Sequence, residues 1–354
     1  MNQALVRKLD ALTVQSRSHR RLAAFVDWIK PESETREAIR KQAGDIRRII
    51  SGQATANGLS IVATPEAGSF AKHTGLRRHM RGDSDIEGQD VDLPFVAKPT
   101  TADGERIAEL LGRFEKYAIA SYPNTPRSAT ASSVELRFVT SKLNYDLVPM
   151  LVSPYPDHQI ILKKDGSRRL TSVVKHTDFI RRRTRQSDEL PGRVKFNECD
   201  RLFKWWRYVR IGTTSPIEEV RTTLIDLLCA SAYDRLGVES TYTETLLKWF
   251  GWLATVTARR MPVTFNDYPT IEPFREGGPG NQLWRVLDPV NVNNNVVHAN
   301  WGNIELDEFA SWFAAGRDGL SRLMAHESAG NDGIVDDILA ELFGNPILTH
   351  GVIT

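Results

Sequence analysis

Two carboxylates stand two residues apart in Asp90-Val91-Asp92-Leu93-Pro94-Phe95-Val96. On a strand that spacing turns both toward one face, with Val91 and Leu93 on the other. The apolar run that follows predicts a strand running into a core. A carboxylate pair of this kind is a hard oxygen site suited to Mg²⁺. Asp146 sits in a second apolar run, Leu143 to Val152, and supplies a third carboxylate if the two strands lie side by side. Three carboxylates suffice to hold two cations roughly 4 Å apart, an arrangement that supports in-line displacement at phosphorus. One ion lowers the pKa of an attacking hydroxyl, and the other stabilises a leaving pyrophosphate.

Upstream, a short β-type run from Leu59 to Ala63 leads into Gly68-Ser69. A glycine lets the backbone approach a phosphate closely, and a serine hydroxyl adds a donor. Amides at the start of a following helix add more. Asp83-Ser84-Asp85 is a rival carboxylate pair, but Ile86-Glu87-Gly88 follows it instead of an apolar strand, so it reads as a solvated loop. Between the two motifs lie Lys72, His73, Arg77, Arg78, His79 and Arg81, either a solvated face or a flap that meets phosphate. The order matters more than any part: strand, Gly-Ser, carboxylate pair, later single carboxylate on a strand.

The elements that must position these residues read as follows. Residues from Ala4 to Ile29 are helical in pattern, and Pro31 breaks the run. Ser33 is the expected N-cap of a long second helix, whose Ile39, Ala43, Ile46 and Ile50 keep helical spacing. A helix is expected over 102–119, and Val134, Leu136 and Phe138 alternate as a strand. The Asp146 strand follows, then a hairpin of Ile160 to Leu162 and Leu170 to Val174 around Lys164-Asp165-Gly166. Composition shifts near residue 175: a basic run from Arg181 to Arg185 comes first, then helical patterns that hold every tryptophan except Trp28. Such aromatic richness is read mainly as core. Asp288 and Asn295 are read as ties for local backbone, and the tail from Gly344 to Thr354 as mobile.

The bulk numbers bound the class. With 41% hydrophobic and 25% charged residues in 354, the chain is large enough for two lobes. Lysine and arginine number 46 against 44 acidic residues, a net charge of +2, which does not demand nucleic-acid binding. Cys199 and Cys229 both lie in apolar helical contexts and read as core residues. No leader and no membrane-spanning apolar run is read, so a cytoplasmic enzyme without membrane partners, and monomeric, is expected.

The stretches Gly68-Ser69-Phe70, DVDLPFV and NYDLVPML resemble the catalytic motifs of polymerase-β-like nucleotidyltransferases. Within that superfamily the chain is most similar to the CD-NTases of bacterial CBASS antiphage systems, relatives of cyclic GMP-AMP synthase and oligoadenylate synthase. The segments IKPESETREAIRKQAGDIRRII, RLFKWWR and LDPVNVNNNVV carry the likeness over most of the chain. The resemblance implies an α+β fold: a nucleotidyltransferase core of mixed sheet and helices over 1–175, with a spine helix, and a helical, oligoadenylate-synthase-like lobe over 176–354. It places the active site in the cleft between them. Asp90, Asp92 and Asp146 then hold two Mg²⁺ ions, or Mn²⁺, and Gly68 and Ser69 hold the donor triphosphate. Lys204, in RLFKWWR, is either a triphosphate contact or an exposed helix lysine, and Thr222 is a hydroxyl from the next helix. The implied activity is synthesis of a cyclic di- or trinucleotide from NTPs, with purine bases (ATP and GTP). Implied partners are accessory proteins acting on the C-terminus and an effector that senses the product. Two other functions stay open: transfer of a nucleotide to an RNA, small-molecule or protein acceptor, and an inactive nucleotide- or RNA-binding scaffold.

Overall fold

The computed structural model describes residues 16–77, 79–81, 84–86, 90–98, 107–164, 166–211, 217, 219–269, 271 and 281–351. The expected start of the first helix, Asp83 of the rival pair and the last three residues lie outside these. In chain order the elements are α1 (Arg17–Ile29), α2 (Ser33–Ala56), β1 (Ile61–Ala63), α3 (Gly68–Lys72), β2 (His79–Arg81), β3 (Ser84–Ile86), β4 (Asp90–Ala97), α4 (Ile107–Ser121), β5 (Arg127–Ala129), β6 (Val134–Phe138), β7 (Leu143–Val152), β8 (Gln159–Leu162) and β9 (Arg168–Thr171). The helices α5 (Val173–Asp188), α6 (Phe196–Arg210), α7 (Thr222–Leu236), α8 (Tyr242–Ala258), α9 (Asn303–Ser328), α10 (Asp332–Phe343) and α11 (Pro346–His350) follow. The fold is α+β, with a mixed sheet, as expected.

The chain divides into two compact units, and each is discontinuous in sequence. Among the described residues, one takes those of 30–182 and 262–300; the other takes those of 16–29, 183–261 and 301–351.

The first unit is built on a sheet with the strand order β1-β4-β7-β6-β5, extended by β8 on β7 and β9 on β8. Only β4 and β7 run parallel; the other described pairs of this sheet are antiparallel. Alternation sorts the side chains. Val91, Leu93 and Phe95 of β4, with Tyr145 and Leu147 of β7 and Leu136 of β6, enter one apolar core. Over that face lies α2, held by Ile39, Ala43, Ile46 and Ile50. Fully burying a side chain of this size stabilises by roughly 1.5–3 kcal/mol. Leu110, Phe114 and Ala118 of α4 complete the cover. The opposite face carries Val96 and Met150 toward one end and the polar positions of β4, β6 and β7 toward the other.

Several local expectations are corrected. Ser33 is the first residue of α2 and not its N-cap; Glu32 takes that place, without a side-chain cap. Val173 and Val174 belong to α5 and not to the hairpin strand, which ends at Thr171. Residues 84–86 pair with 79–81 in a separate two-stranded sheet instead of forming a loop. The tail is ordered through Gly351: Arg21 Nη1 donates to the carbonyls of Leu348 and Gly351, and Trp28 stacks on His350 with centroids 4.0 Å apart.

Asp288 and Asn295 behave as read. Asp288 Oδ1 accepts from the amides of Val290 (2.8 Å) and Asn291 (3.2 Å), and Asn295 Nδ2 donates to the carbonyls of Asn281 and Trp284. Burial works against the Asp288 charge, but His176, Asn294 and the Val290 amide outweigh it and hold the carboxyl at about 2.

The second unit is a helical assembly with an aromatic centre. Phe203 lies 4.4 Å from Phe250, and Trp206 lies 4.9 Å from Phe250 and 5.1 Å from Phe313, centroid to centroid. Trp205 Nε1 donates to the Phe343 carbonyl at 2.8 Å. Cys199 and Cys229 are both buried in this unit as free thiols. Among the described residues, no helix is long and apolar enough to cross a membrane.

Candidate active site

Pairing brings the predicted carboxylates onto one face of the sheet. Asp92 stands directly opposite Asp146 across the parallel β4–β7 pair, and Asp90 stands opposite Asn144. Cross-strand partners project to the same side, so the register puts Asp92 and Asp146 together on the polar end of the face away from α2, with the backbone of Asp90 two residues away on β4. The alternation read from the sequence thus coincides with the register found.

The electrostatics are those of a strained anionic site. Asp92 is pushed up to about 6, first by burial and then by the charge of Asp146, with Lys72 pulling in the opposite direction. Asp146 is also raised, by burial first; a hydrogen bond from Ser133 opposes the rise and the Glu135 charge adds to it. Ser133 Oγ donates to Asp146 Oδ1 at 3.0 Å and fixes that oxygen. Two half-buried carboxylates facing each other repel until a cation neutralises them.

Gly68 is seated on this pair. Its φ is +75°, and a Cβ there would collide with Asp92 Oδ2 and lie 3.3 Å from Asp92 Cγ. No side chain fits between the Gly68 backbone and the carboxylate. Ser69 follows at the start of α3, its hydroxyl oxygen 3.5 Å from where a Cβ on Gly75 would stand, and the Thr74 amide donates to the Ser69 carbonyl at 3.0 Å. At five residues α3 is too short for much of a macrodipole. The motif therefore offers bare backbone and one hydroxyl beside the carboxylates. Arg181 Nε ties this turn in place by donating to the Ala71 carbonyl at 2.6 Å.

Gly68→Ala tests that seating. Left-handed backbone costs a non-glycine residue about 1–2 kcal/mol, and the methyl group must displace the Asp92 carboxylate. Turnover is expected to fall by more than about tenfold, with a melting temperature lowered by only a few degrees. Unchanged steady-state kinetics in the folded variant would remove Gly68 from the site.

The residues fit divalent cations, which the fold implies. The donors are hard oxygens, two of them held in register, and their raised pKa values mark a deficit of positive charge. Among the described side chains no three of His, Cys, Asp or Glu form a metal-binding group; the side chain of Asp90 is not among them.

Lys204 and Thr222 belong to the other unit. Lys204 is not an exposed helix lysine: only 2% exposed, it pairs with Asp200 at 2.9 Å and with Asp226, both buried. Thr222 is exposed at the first position of α7. Sequence reasoning missed Ser133 and Glu135. The signal for Glu135 was present in the alternation of Val134, Leu136 and Phe138, which turns Glu135 and Arg137 to the opposite side.

Comparison with known proteins agrees with this geometry. The profile of the Second Messenger Oligonucleotide or Dinucleotide Synthetase domain family matches residues 17–183. Cyclic AMP-AMP-AMP synthase of Escherichia coli MS 115-1 is 27% identical over 284 residues, 79% of this chain and 83% of the relative. The structure of E. coli MS115-1 CdnC with ATP superposes with a TM-score of 0.71 and 25% identity, over 93% of this chain and 98% of the other. The complex of that CdnC with a HORMA protein gives a TM-score of 0.69 at 24% identity, over 95% and 98%. With its mixed sheet, its Gly-Ser turn and its paired carboxylates, the chain carries a Second Messenger Oligonucleotide or Dinucleotide Synthetase domain over residues 17–183 and is similar to the CD-NTases of CBASS systems, nucleotidyltransferases that synthesise cyclic nucleotides.

Proposed function

We propose that this protein makes a cyclic di- or trinucleotide messenger from purine NTPs, with ATP as a substrate, and that it does so in antiphage signalling. The observation that carries the reading is the Asp92–Asp146 pair with Gly68 lying on it. The bases are taken from the relatives: one is a cyclic AMP-AMP-AMP synthase, and CdnC was solved with ATP. CdnC also assembles with a HORMA protein, and an accessory partner of that kind fits this chain.

Asp90, Asp92 and Asp146 are the residues to hold two Mg²⁺ or Mn²⁺ ions. When bound, such ions activate the attacking hydroxyl and stabilise the leaving pyrophosphate. The protein's own part is positional. Gly68 admits the triphosphate to within backbone reach, and Ser69 donates its hydroxyl to a phosphate oxygen. Ser133 holds Asp146 through Oδ1, which leaves Oδ2 available to a cation. Lys72 tempers the charge of Asp92. Thr222 remains a candidate hydroxyl for the triphosphate. Lys204 is left out of the proposed contacts because its ammonium is engaged by two aspartates.

The test is incubation of the full chain with labelled NTPs and Mg²⁺, followed by phosphatase treatment and mass spectrometry. A phosphatase-resistant product of two or three nucleotides is expected. Label entering an added RNA, small molecule or protein acceptor would replace this reading with transferase activity. ATP binding without turnover would replace it with a scaffold.

A further inference from the structure

The row of acids does not stop at Asp146. On its other side β7 pairs with β6, and the residue directly opposite Asp146 is Glu135. Asp92, Asp146 and Glu135 therefore stand in line across β4, β7 and β6 on one face of the sheet. Carboxylates directly opposite each other destabilise a sheet, and here two such pairings are adjacent.

Glu135 is held rigidly. Oε2 accepts from Ser128 Oγ at 2.7 Å and from Arg137 Nη2 at 2.6 Å, and Oε1 accepts from Asn144 Nδ2 at 3.2 Å. Asn144 is the register partner of Asp90. One side chain is thus hydrogen-bonded to the residue opposite Asp90 and stands opposite Asp146. Both carboxylate oxygens are in use: a glutamine could accept from Ser128 and Arg137 with its one oxygen but would turn its NH2 toward Asn144 Nδ2. The Arg137 hydrogen bond comes first among the causes that hold Glu135 below its usual carboxylate range, so it stays ionised beside Asp146. Arg137 offsets part of that charge, from a side chain 55% exposed against 18% for Glu135.

We infer that Glu135 is a positioning residue of the cation site: a fixed negative charge in the outer layer that tightens divalent-cation binding by the Asp92/Asp146 pair and orients Asp146 toward it. The inference rests on the proposed cation site and adds to it a residue of this chain that touches no substrate.

The probe is Mn²⁺ binding to the nucleotide-free full chain, followed by electron paramagnetic resonance at low ionic strength, with the melting temperature measured in parallel. Glu135→Gln is expected to weaken Mn²⁺ binding about tenfold, as removal of one nearby charge in a partly buried site implies. Glu135→Asp keeps the charge and should recover most of the affinity. Arg137→Gln leaves the carboxylate in place and should bind Mn²⁺ at least as tightly as the parent. Weakening by Arg137→Gln to the same degree as by Glu135→Gln would overturn the inference, because the pair would then act only through strand structure. Asp92→Asn separates the two levels of the argument. If it abolishes binding while Glu135→Gln leaves it unchanged, the role of Glu135 fails and the cation site stands. If Asp92→Asn binds Mn²⁺ like the parent, the cation site itself fails.

Discussion

Replacing Asp92 with asparagine is expected to abolish product formation from any NTP while making the cation-free protein more stable at neutral pH. The first effect should exceed about a thousandfold in kcat, equivalent to about 4 kcal/mol of transition-state stabilisation. The second follows from linkage. Folded, the Asp92 carboxyl holds its proton up to about 6, against an ordinary 3.8. Between those values the folded state binds more protons than the unfolded chain, so stability from this group falls as pH rises through the window. Above about pH 6 the whole penalty is present, on the order of 3 kcal/mol. Asparagine removes it. The difference in melting temperature between variant and parent should therefore open between about pH 4 and 6 and stay constant above. Mg²⁺ should raise the melting temperature of the parent and not of the variant. Asp83→Asn/Asp85→Asn is the control, since residues 84–86 lie in a separate two-stranded sheet, and it should keep its activity. A stability difference that is flat across this pH range would show that Asp92 does not carry the strain assigned to it.

Lys204→Met is expected to be the most destabilising single change in the helical unit. The lysine lies among Asp200 and Asp226, with side chains 2%, 0% and 3% exposed. Burial works to lower its pKa, but the two aspartates outweigh this and the pKa is raised. Removing the cation leaves two buried carboxylates facing each other, a loss of about 3–5 kcal/mol. For a unit of this size that lowers the melting temperature by roughly 10 °C. Replacing all three groups with apolar residues of similar volume should recover much of the loss, because no uncompensated charge then remains. The measurement is thermal unfolding alongside NTP titration. A Lys204→Met protein that melts like the parent but needs far more NTP would assign the lysine to phosphate instead of to the triad.

The site was legible where one strand carries its own evidence. Asp90 and Asp92 share a face because of their spacing, and the buried Val91, Leu93 and Phe95 declare which face is the core. The partner strand was legible for the same reason, since Tyr145 and Leu147 flank Asp146. Register was not legible: that Asp146 meets Asp92 on one side and Glu135 on the other depends on how three strands slide against each other, and Glu135 and Arg137 look like ordinary solvent-facing residues until that is known. The burial of Lys204 was not legible for a related reason. Its neighbours Phe203, Trp205 and Trp206 are apolar, so the helix buries nearly its whole circumference, yet a lysine by itself reads as surface. The residues that make its burial tolerable include Asp226, on the next helix.

The two units interrupt each other along the chain, and this sets an order of events during synthesis. Helix α1 buries Leu22, Phe25, Val26 and Ile29 in the helical unit, and the next segment of that unit begins at Arg183. At bacterial-scale elongation of about 5–20 residues per second, α1 leaves the ribosome roughly 8–30 s before any partner helix does. The sheet unit can close once residue 300 has emerged, but the helical unit still lacks α9 and α10 at that point. A nascent chain of this kind carries the apolar face of α1 uncovered while residues 30–182 are made. That makes α1 the natural binding site for a chaperone, and it makes the sheet unit the first part of the protein to resist protease on the ribosome.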